Sequence, residues 1–295
     1  MKRVQRTDRS IIRISGDDSR SFLQGLISND ITRADGTRGL YAALLTPQGK
    51  YLYDFFIVAD DGALLLDCLA EDAAQLIKKL TMFKLRSKVT LEDVSDAYDV
   101  HLVFGDGASG LLTGGAQTKT PDGAILYADP RLNEAGVRVI APKASFDAAA
   151  LGAQETDDAA YQHFRIALGL PEAPLDLEKD KSILLESGFD ELSGVDWKKG
   201  CYMGQELTAR TKYRGLIKKR LVPVAIDGAA VPGTDILADG RVVGDLRSVS
   251  GDLGIAMLRL GAIAAGQPLD AGDATVTPQV PAWMQLPQDG EDAEA

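Results

Sequence analysis

Short strand-like segments separated by glycine-rich turns fill the sequence from Leu221 onward, and they constrain the fold more than any other feature. Four segments have the length and residue types of strands: Leu221–Ile226, Asp235–Leu237, Val242–Val249 and Gly254–Leu258. This pattern is typical of a small β-barrel or sandwich. We therefore place a domain boundary near residue 215, assign 215–286 to the barrel, and expect 287–295 to be a disordered acidic tail.

The region before this boundary mixes strands and helices, which predicts an α+β fold. Tyr51–Ala59 is rich in aromatic and β-branched residues and predicts a strand, whereas Ala70–Leu80 has the apolar spacing of an amphipathic helix. Thr156–Leu168 predicts another helix, with Thr156 as its N-cap. A chain of 295 residues, 45% of them hydrophobic, is long enough for two domains, and 1–214 would be the first.

The net charge of −11 limits the partners of the chain. Nucleic acid and anionic membranes repel such a chain, so we expect no stable nucleic-acid complex and no membrane contact. The sequence contains no run of roughly 18 apolar residues and therefore predicts no transmembrane helix. Met1–Ile12 lacks the apolar stretch of a signal peptide. The two cysteines, Cys68 and Cys201, do not indicate a disulfide framework, which favours a reducing cytoplasm.

The sharpest local feature is the segment Lys198–Glu206, in which a cysteine follows two lysines and is flanked by glycines near the start of a predicted helix. Cations and helix N-termini both stabilise a thiolate, so we expect a lowered pKa for Cys201. Such a thiolate could act as a nucleophile or as a ligand for a soft metal. The alternative is a buried structural cysteine in a tight turn, which is the commoner situation.

A cluster of positive charge surrounds this segment. It consists of Lys198, Lys199, Arg210, Lys212, Arg214, Lys218, Lys219 and Arg220, with Glu206 as the one acidic residue among them. In so acidic a chain, the cluster could seat a polyanion such as a folate polyglutamate tail or an RNA backbone. The alternative is a solvated helix face and linker, partly neutralised by carboxylates of the protein itself.

Asp54 is a carboxylate within the apolar strand Tyr51–Ala59. Alternation places Asp54 on the same face as Leu52 and Phe56. A carboxylate among apolar neighbours is unfavourable unless it is paired or used, which favours a functional role over an outward-facing position.

The glycines of Gly105–Gly110 match the dinucleotide-binding pattern G-x-G-x-x-G after the strand Val100–Phe104, which we interpret as the start of a βαβ-like stretch. Gly114 and Gly115 would leave only a very short helix to bind pyrophosphate, so a glycine-rich turn is the better interpretation. His101 stands alone at a strand start and is expected to be structural.

These residues together resemble a known family. Lys199–Glu206, KGCYMGQE, matches the K-G-C-[FY]-x-G-Q-E signature of the YgfZ family, and the match continues through Leu207–Arg210, Arg214–Leu216 and Lys219–Leu221. The segment looks especially like the mitochondrial branch of that family and its bacterial relatives. A signature of this length is specific and is not expected by chance.

Weaker similarity covers most of the chain. Ile14–Gly25 resembles the strand-turn-helix with which the family begins, and Gly49–Asp54 resembles its hairpin. Phe164–Pro171 is similar to the end of a family helix, and Gly244–Leu258 to the C-terminal barrel of T-proteins. The resemblance implies the fold of the glycine-cleavage T-protein: a ring of α+β lobes with a C-terminal β-barrel around a folate channel.

The resemblance also assigns roles to residues. Cys201 corresponds to the functional thiol, Lys199 to its matching lysine, and Asp54 to the catalytic aspartate position of T-proteins. Tyr161 takes the place of a folate-stacking tryptophan, and Arg165 would hold it in place or meet the glutamate tail. The other folate-binding residues expected are Tyr202, Gln205, Glu206 and Arg210. Arg9 departs from the pattern, because a second folate-contacting tryptophan would align there.

The function implied is that of a tetrahydrofolate-binding factor for assembly or repair of 4Fe–4S clusters. Its expected partners are folate, iron–sulfur assembly proteins and apo-enzyme clients, including radical enzymes that modify tRNA, and the chain is expected to be a monomer or weak dimer. Because a 4Fe–4S cluster normally takes four thiolates, Cys201 could hold a transient cluster only by ligation shared with a partner or a second copy. The alternative is a folate-dependent aminomethyltransferase or demethylase that uses Asp54.

Overall fold

The computed structural model describes residues 1–112 and 115–286, which divide into two units built from separated stretches of chain. The first unit comprises Met1–Leu45, Leu52–Asp158 and Leu192–Met203. The second comprises Thr46–Tyr51, Ala159–Glu191 and the chain from Gly204. The predicted acidic tail at 287–295 and the helix-ending role of Gly114 lie outside the described residues.

The first unit is built on two sheets. Its α-helices and strands, in chain order, are β1 (Lys2–Gln5), β2 (Arg9–Ser15), α1 (Ser19–Gln24), β3 (Leu40–Leu45), β4 (Tyr51–Asp60), β5 (Ala63–Leu69), α2 (Ala73–Lys84), β6 (Thr90–Asp93), β7 (Tyr98–Phe104), β8 (Gln117–Lys119), β9 (Ile125–Ala128), β10 (Val137–Pro142) and β11 (Gln154–Glu155). One sheet has the strand order β3-β4-β5-β2-β6, and the other has the order β11-β1-β7-β10-β9-β8.

Alternation along β4 and β5 builds the core of the five-stranded sheet. Phe55 and Ile57 of β4 pack with Leu66 of β5, and α2 covers this face through Leu76 and Leu80. The predicted strand in β4 and the predicted helix in α2 are confirmed. The helix begins three residues later than predicted, after a 3-10 turn, and ends four residues later.

The six-stranded sheet corrects one expectation. β7 pairs antiparallel with both β1 and β10, so the predicted βαβ-like stretch after it is wrong. The chain turns at Gly105 and Gly107, both with positive φ, and forms a 3-10 turn over Ala108–Leu111. The interpretation as a glycine-rich turn is confirmed, because residues 105–112, as far as the structure describes this segment, form a 3-10 turn and no α-helix that could bind a dinucleotide.

The second unit is built around a closed barrel. Its α-helices and strands are α3 (Asp158–Ala167), α4 (Gln205–Tyr213), β12 (Lys219–Asp227), β13 (Asp235–Ala238), β14 (Arg241–Ser250), β15 (Leu253–Arg259), α5 (Leu260–Ala265), β16 (Leu269–Ala271) and β17 (Ala274–Pro278). The barrel closes in the order β12-β15-β14-β13-β16-β17, which confirms the predicted architecture. Four of its strands match the predicted segments, whereas β16 and β17 are strands not predicted from the sequence.

Two smaller findings concern the helices. Thr156 does not cap α3, because the helix begins at Asp158 and Thr156 stands one residue before the N-cap position. Its N–H donates to the carbonyl oxygen of Arg3 at 2.9 Å and continues the pairing of β11 with β1. Within residues 1–112 and 115–286, no helix is long and apolar enough to cross a membrane.

Gly244 permits the close approach of two barrel strands. A Cβ at this position would lie 2.0 Å from the carbonyl oxygen of Met257, on the neighbouring strand β15. No side chain can be accommodated there unless the backbone of the barrel moves.

We expect Gly244→Ala to lower the free energy of unfolding by about 1–3 kcal/mol, because overpacking forces backbone shifts. Thermal or chemical denaturation measures the change. Gly261→Ala is the matched control, since a Cβ at Gly261 in α5 meets nothing within 4 Å and alanine favours a helix. Equal stability of the two variants would contradict the packing argument.

Candidate functional site

The thiol of Cys201 lies on a turn in the first unit, and it is exposed. Two residues earlier, the ammonium of Lys199 donates to three backbone carbonyl oxygens: Gln24 at 2.8 Å, Ile27 at 2.6 Å and Asn29 at 2.9 Å. Gln24 is the last residue of α1, and the other two carbonyls belong to the segment that follows the helix. Because an ammonium has three donors, this cage uses all of them.

Further hydrogen bonds hold the turn on both sides of the cysteine. The N–H of Met203 donates to the carbonyl of Gly25 at 3.1 Å, and the N–H of Asp196 donates to that of Ser28 at 3.1 Å. The carboxylate of Asp196 accepts from the backbone N–H groups of Lys198 and Lys199 at 2.7 and 2.9 Å. Cys201 is therefore presented to solvent between two anchored residues, and the interpretation as a buried structural cysteine is wrong.

Lys199 has a different role from the one predicted. It is buried, and burial lowers its pKa to about 8, while Asp30 and Asp196 act in the opposite direction. Its ammonium lies 4.9 Å from the ring centre of Tyr202, which is also buried. Since all its donors are occupied by backbone, Lys199 positions the turn rather than serving as a chemical group. Cys201 itself precedes α4 by four residues, so it is not in the first turn of that helix.

Asp54 lies on the face of the five-stranded sheet opposite its apolar core. The hydroxyl of Tyr41 donates to its carboxylate at 3.0 Å. Phe56, on the same face, stacks on Tyr41 with ring centres 5.0 Å apart, and the guanidinium carbon of Arg138 lies 3.6 Å from the Phe56 ring centre. Asp54 and Phe56 share a face as alternation predicts, but this face carries a polar and aromatic layer rather than the apolar neighbours expected for Asp54.

Two buried ion clusters, linked through the guanidinium of Arg138, complete this layer. Asp67 of β5 accepts from Arg9 at 2.6 Å and from Arg138 at 2.7 Å. Burial raises the pKa of Asp67, but the two arginines outweigh burial and hold that pKa below its usual value. Asp129 pairs with Arg131 at 2.8 Å, and its pKa is lowered by the same balance. These ion clusters are not predicted from the sequence. The available signal was one charged residue inside each of two apolar strands, Asp67 in β5 and Arg138 in β10.

Arg9 is part of this cluster, which explains the departure at its position. Its side chain is buried against Asp67 and lies 5.8 Å from the ring centre of Phe56. A guanidinium thus occupies the place where an aromatic stack is expected.

A cavity of about 380 Å³ opens beside the ion clusters, within the first unit. Its lining includes Asn29, Arg33, Arg38, Tyr41, Asp129 and Arg131. Asn29 belongs to both sites: its carbonyl accepts from Lys199, and its side-chain amide donates to the carbonyls of Tyr41 and Ser193, at 2.7 Å each. The cavity wall and the Cys201 turn are therefore built on one segment.

The remaining predicted ligand residues belong to the second unit. Tyr161 is buried in α3. Arg165 is fully buried, and its guanidinium donates to Asp176 at 2.6 Å and to the carbonyl of Leu170 at 3.0 Å. This geometry corrects the role given to Arg165 at a glutamate tail, because its charge is paired inside the protein. Gln205, Glu206 and Arg210 lie on α4, with Glu206 and Arg210 exposed.

The positive cluster of Lys198–Arg220 is weaker than its residue count suggests. Lys212 pairs with Asp190 at 2.8 Å, and buried Arg220 pairs with Glu191 at 2.8 Å. Lys199 is enclosed by carbonyls. Partial neutralisation by the protein's own carboxylates is thus confirmed for Lys212 and Arg220, whereas Lys199 is withdrawn from solvent without a paired carboxylate.

The other reactive residue types play structural parts. Cys68 is buried, and burial raises the pKa of its thiol to about 12. His101 is buried beside Arg3, 3.2 Å from its guanidinium, which confirms its structural role. In the described part of the chain, no group of three or more metal-ligating side chains could hold a metal ion.

We expect Lys199→Met to lower the free energy of unfolding by about 2–4 kcal/mol, because buried carbonyls lose their donor. In the same variant, hydrogen exchange at the backbone amide of Met203 should also become faster. Lys198→Met is the matched control, since an exposed side chain changes stability by only about 0.5 kcal/mol. Unchanged stability and exchange in Lys199→Met would refute the anchoring role.

Comparison with solved structures supports the fold. The glycine cleavage system aminomethyltransferase T from Bartonella henselae superposes with a TM-score of 0.78 over 95% of this chain and 85% of that chain. Sequence identity is 13%, so this likeness concerns the fold alone. A family model described as the CAF17 C-terminal beta-barrel domain matches residues 218–286, which are the barrel.

Curated relatives carry a common name. The mouse (Mus musculus) protein named iron-sulfur cluster assembly factor IBA57, mitochondrial, is 32% identical over 301 residues, covering 93% of this chain and 83% of that protein. The human (Homo sapiens) protein of that name is 32% identical, covering 85% and 75%. The Neurospora crassa homolog is 34% identical over 79% of this chain, which spans only 55% of that fungal protein.

The names of these relatives correct one expectation. All three are called mitochondrial, so the prediction of a cytoplasmic protein is wrong. A low cysteine count indicates only a reducing environment and does not distinguish one reducing compartment from another. With its T-protein fold, its C-terminal barrel and these relatives, the chain belongs to the IBA57 family within the YgfZ and CAF17 group of T-protein-like proteins.

Proposed function

We propose that this chain is an assembly factor for iron–sulfur clusters that acts through the thiol of Cys201. The observation that carries the proposal is the exposed thiol held between two anchored residues, Lys199 and Met203. A thiol on a fixed turn can meet a partner's cluster without losing much conformational freedom on binding. The names of the relatives support the same class of function.

A single thiol requires a partner. Four thiolates normally hold a 4Fe–4S cluster, and among the described residues no three metal-ligating side chains come together, at Cys201 or elsewhere. The cluster would thus be cargo, ligated jointly by Cys201 and by thiolates of an assembly protein or a client apo-enzyme. Clients of this kind include 4Fe–4S enzymes of the aconitase type and radical enzymes that modify tRNA.

The second part of the proposal is that the cavity beside Tyr41 binds tetrahydrofolate. Its volume of about 380 Å³ suits part of such a ligand. Tyr41 supplies an aromatic wall, and the exposed side chain of Arg38 carries positive charge suited to glutamate carboxylates. The exposed Arg33 adds to this charge, although its guanidinium also lies 3.4 Å from the carboxylate of Asp196. Folate bound there would touch the same Asn29 segment that supports the Cys201 turn, which would couple ligand binding to presentation of the thiol.

One observation favours the alternative of one-carbon transfer. Tyr41 orients the carboxylate of Asp54 at 3.0 Å, so a charged group is held ready on the ligand-facing side of the sheet. In that function Asp54 would polarise the reacting amine, and Cys201 would be dispensable. The two functions therefore predict opposite results for variants at these two residues.

We expect Cys201→Ser to fold normally and to fail in supporting cluster-dependent enzymes. Substitution of an exposed residue leaves stability within about 0.5 kcal/mol, whereas the lost thiolate removes the ligand for the cluster. The measurement is aconitase-type activity in cells whose only copy of the protein is the variant, together with unfolding of the purified chain.

Cys68→Ala is the control for this experiment. Cys68 is buried, so native protein should expose a single reactive thiol to a disulfide reagent, and Cys201→Ser should expose none. Normal client activity with Cys201→Ser, combined with lost one-carbon transfer in Asp54→Asn, would replace the assembly function by the transferase.

We expect calorimetric titration to show tetrahydrofolate binding that weakens about tenfold in Arg38→Gln, since a charge-assisted hydrogen bond contributes about 1.5–3 kcal/mol. Arg241→Gln, an exposed arginine on β14, is the matched control and should bind as the parent chain does. The absence of binding by the parent chain, or equal affinity in Arg38→Gln, would remove folate from this cavity.

A further inference from the structure

The end of α2 and the turn after it carry a concentration of positive charge that the proposed function does not use. Between Lys78 and Lys88 the chain has no acidic residue, and it carries Lys78, Lys79, Lys84, Arg86 and Lys88. Across the described residues, the only ion pair of this group joins Lys88 to Asp17 at 3.7 Å, between two exposed side chains. In a chain of net charge −11, such a segment is unusual.

Two large apolar side chains protrude from the same segment. Met82 is 66% exposed and Leu85 is 90% exposed, although Leu76 and Leu80 on the opposite side of α2 are completely buried. The apolar side chains stand among the lysines and the arginine. We call Lys78, Lys79, Met82, Lys84, Leu85, Arg86 and Lys88 the basic-apolar surface.

The backbone holds Leu85 in this position at a cost in stability. The N–H of Ser87 donates to the carbonyl of Lys84 at 2.8 Å, so Leu85 is the first central residue of a tight turn. Its φ of 43° and ψ of −109° are values that glycine adopts readily and leucine does not. A residue in such a conformation is a pointer to function, because the fold alone would favour glycine.

The turn is also fixed at its far end. A Cβ at Gly16 would lie 2.1 Å from the carbonyl oxygen of Lys88, and the N–H of Lys88 donates to Asp18 at 2.7 Å. Val89, the next residue, is buried. The basic-apolar surface is therefore a rigid projection of the first unit.

We propose that the basic-apolar surface docks the protein onto an anionic phospholipid membrane, with Leu85 and Met82 entering the headgroup layer. Each lysine or arginine close to an anionic leaflet adds to the attraction, and long basic side chains keep their charge at the headgroups while their stems cover apolar surface. A stable protein interface, in contrast, needs roughly 800 Å² from each partner with a packed apolar centre. Two separately protruding side chains match shallow insertion better.

This inference revises the expectation of no membrane contact, which rested on net charge. At physiological salt, charges are screened over about 8 Å, so a membrane senses the surface that touches it rather than the whole chain. The remaining negative charge would orient the protein by keeping its other faces away from the leaflet.

Flotation with vesicles tests the proposal on the full-length chain. Vesicles of phosphatidylcholine mixed with phosphatidylglycerol should carry the protein at low salt, and vesicles of phosphatidylcholine alone should not. Arg86→Glu should weaken partitioning at least about fivefold, which corresponds to the contribution of one basic residue. The matched control is Arg241→Glu, which makes the same charge change on β14 and should bind as the parent chain does.

The variant Leu85→Gly distinguishes a loss of membrane docking from a loss of folding. Glycine relieves the unfavourable backbone conformation, so this variant should melt at the same or a higher temperature while partitioning several-fold less. Equal partitioning of Leu85→Gly and the parent chain would overturn the proposal, because the attraction to the vesicles would then come from charge alone and not from insertion of Leu85. Failure of the parent chain to float with mixed vesicles at low salt would also overturn it and leave an acidic protein as the partner for this surface.

Discussion

The cage of three carbonyl oxygens around the Lys199 ammonium is the interaction on which the site depends. It joins the turn of Cys201 to the segment after α1, and Asn29 carries that connection on to the cavity wall through its side-chain amide. Burying an ammonium is unfavourable unless its donors are satisfied, and here backbone satisfies them all. A lysine that looks catalytic in the sequence is therefore a structural anchor for the thiol.

The face of the five-stranded sheet around Asp54 follows a similar principle. Asp67 and Asp129 stay ionised inside the protein because Arg9, Arg138 and Arg131 surround them. Removing one partner would leave a buried charge uncompensated, which is far less favourable than losing a surface pair. This network fixes both the charge and the shape of the protein surface beside the cavity.

Much of the fold could be predicted from local pattern. The barrel strands from Leu221 onward, the strand with Asp54 and the apolar side of α2 all follow from periodicity, and the exposed cysteine lies within a long signature. The ion clusters could not be predicted, because Arg9 and Arg138 reach Asp67 from positions 58 and 71 residues away. The sequence around Leu85 also does not reveal the positive φ of this residue, which depends on the tertiary contacts that hold the turn.

The distance along the chain between Lys199 and its cage has a consequence for synthesis. The carbonyl of Ile27 accepts from a donor 172 residues further along the chain, so about two thirds of the 295 residues must emerge before the turn of Cys201 can close. Domains generally fold as their chains emerge, yet the first unit takes its last segment, Leu192–Met203, only after the stretch Ala159–Glu191 of the second. The exposed thiol thus reports a completed first unit: a chain truncated or stalled before Lys199 would not hold it in place for a partner.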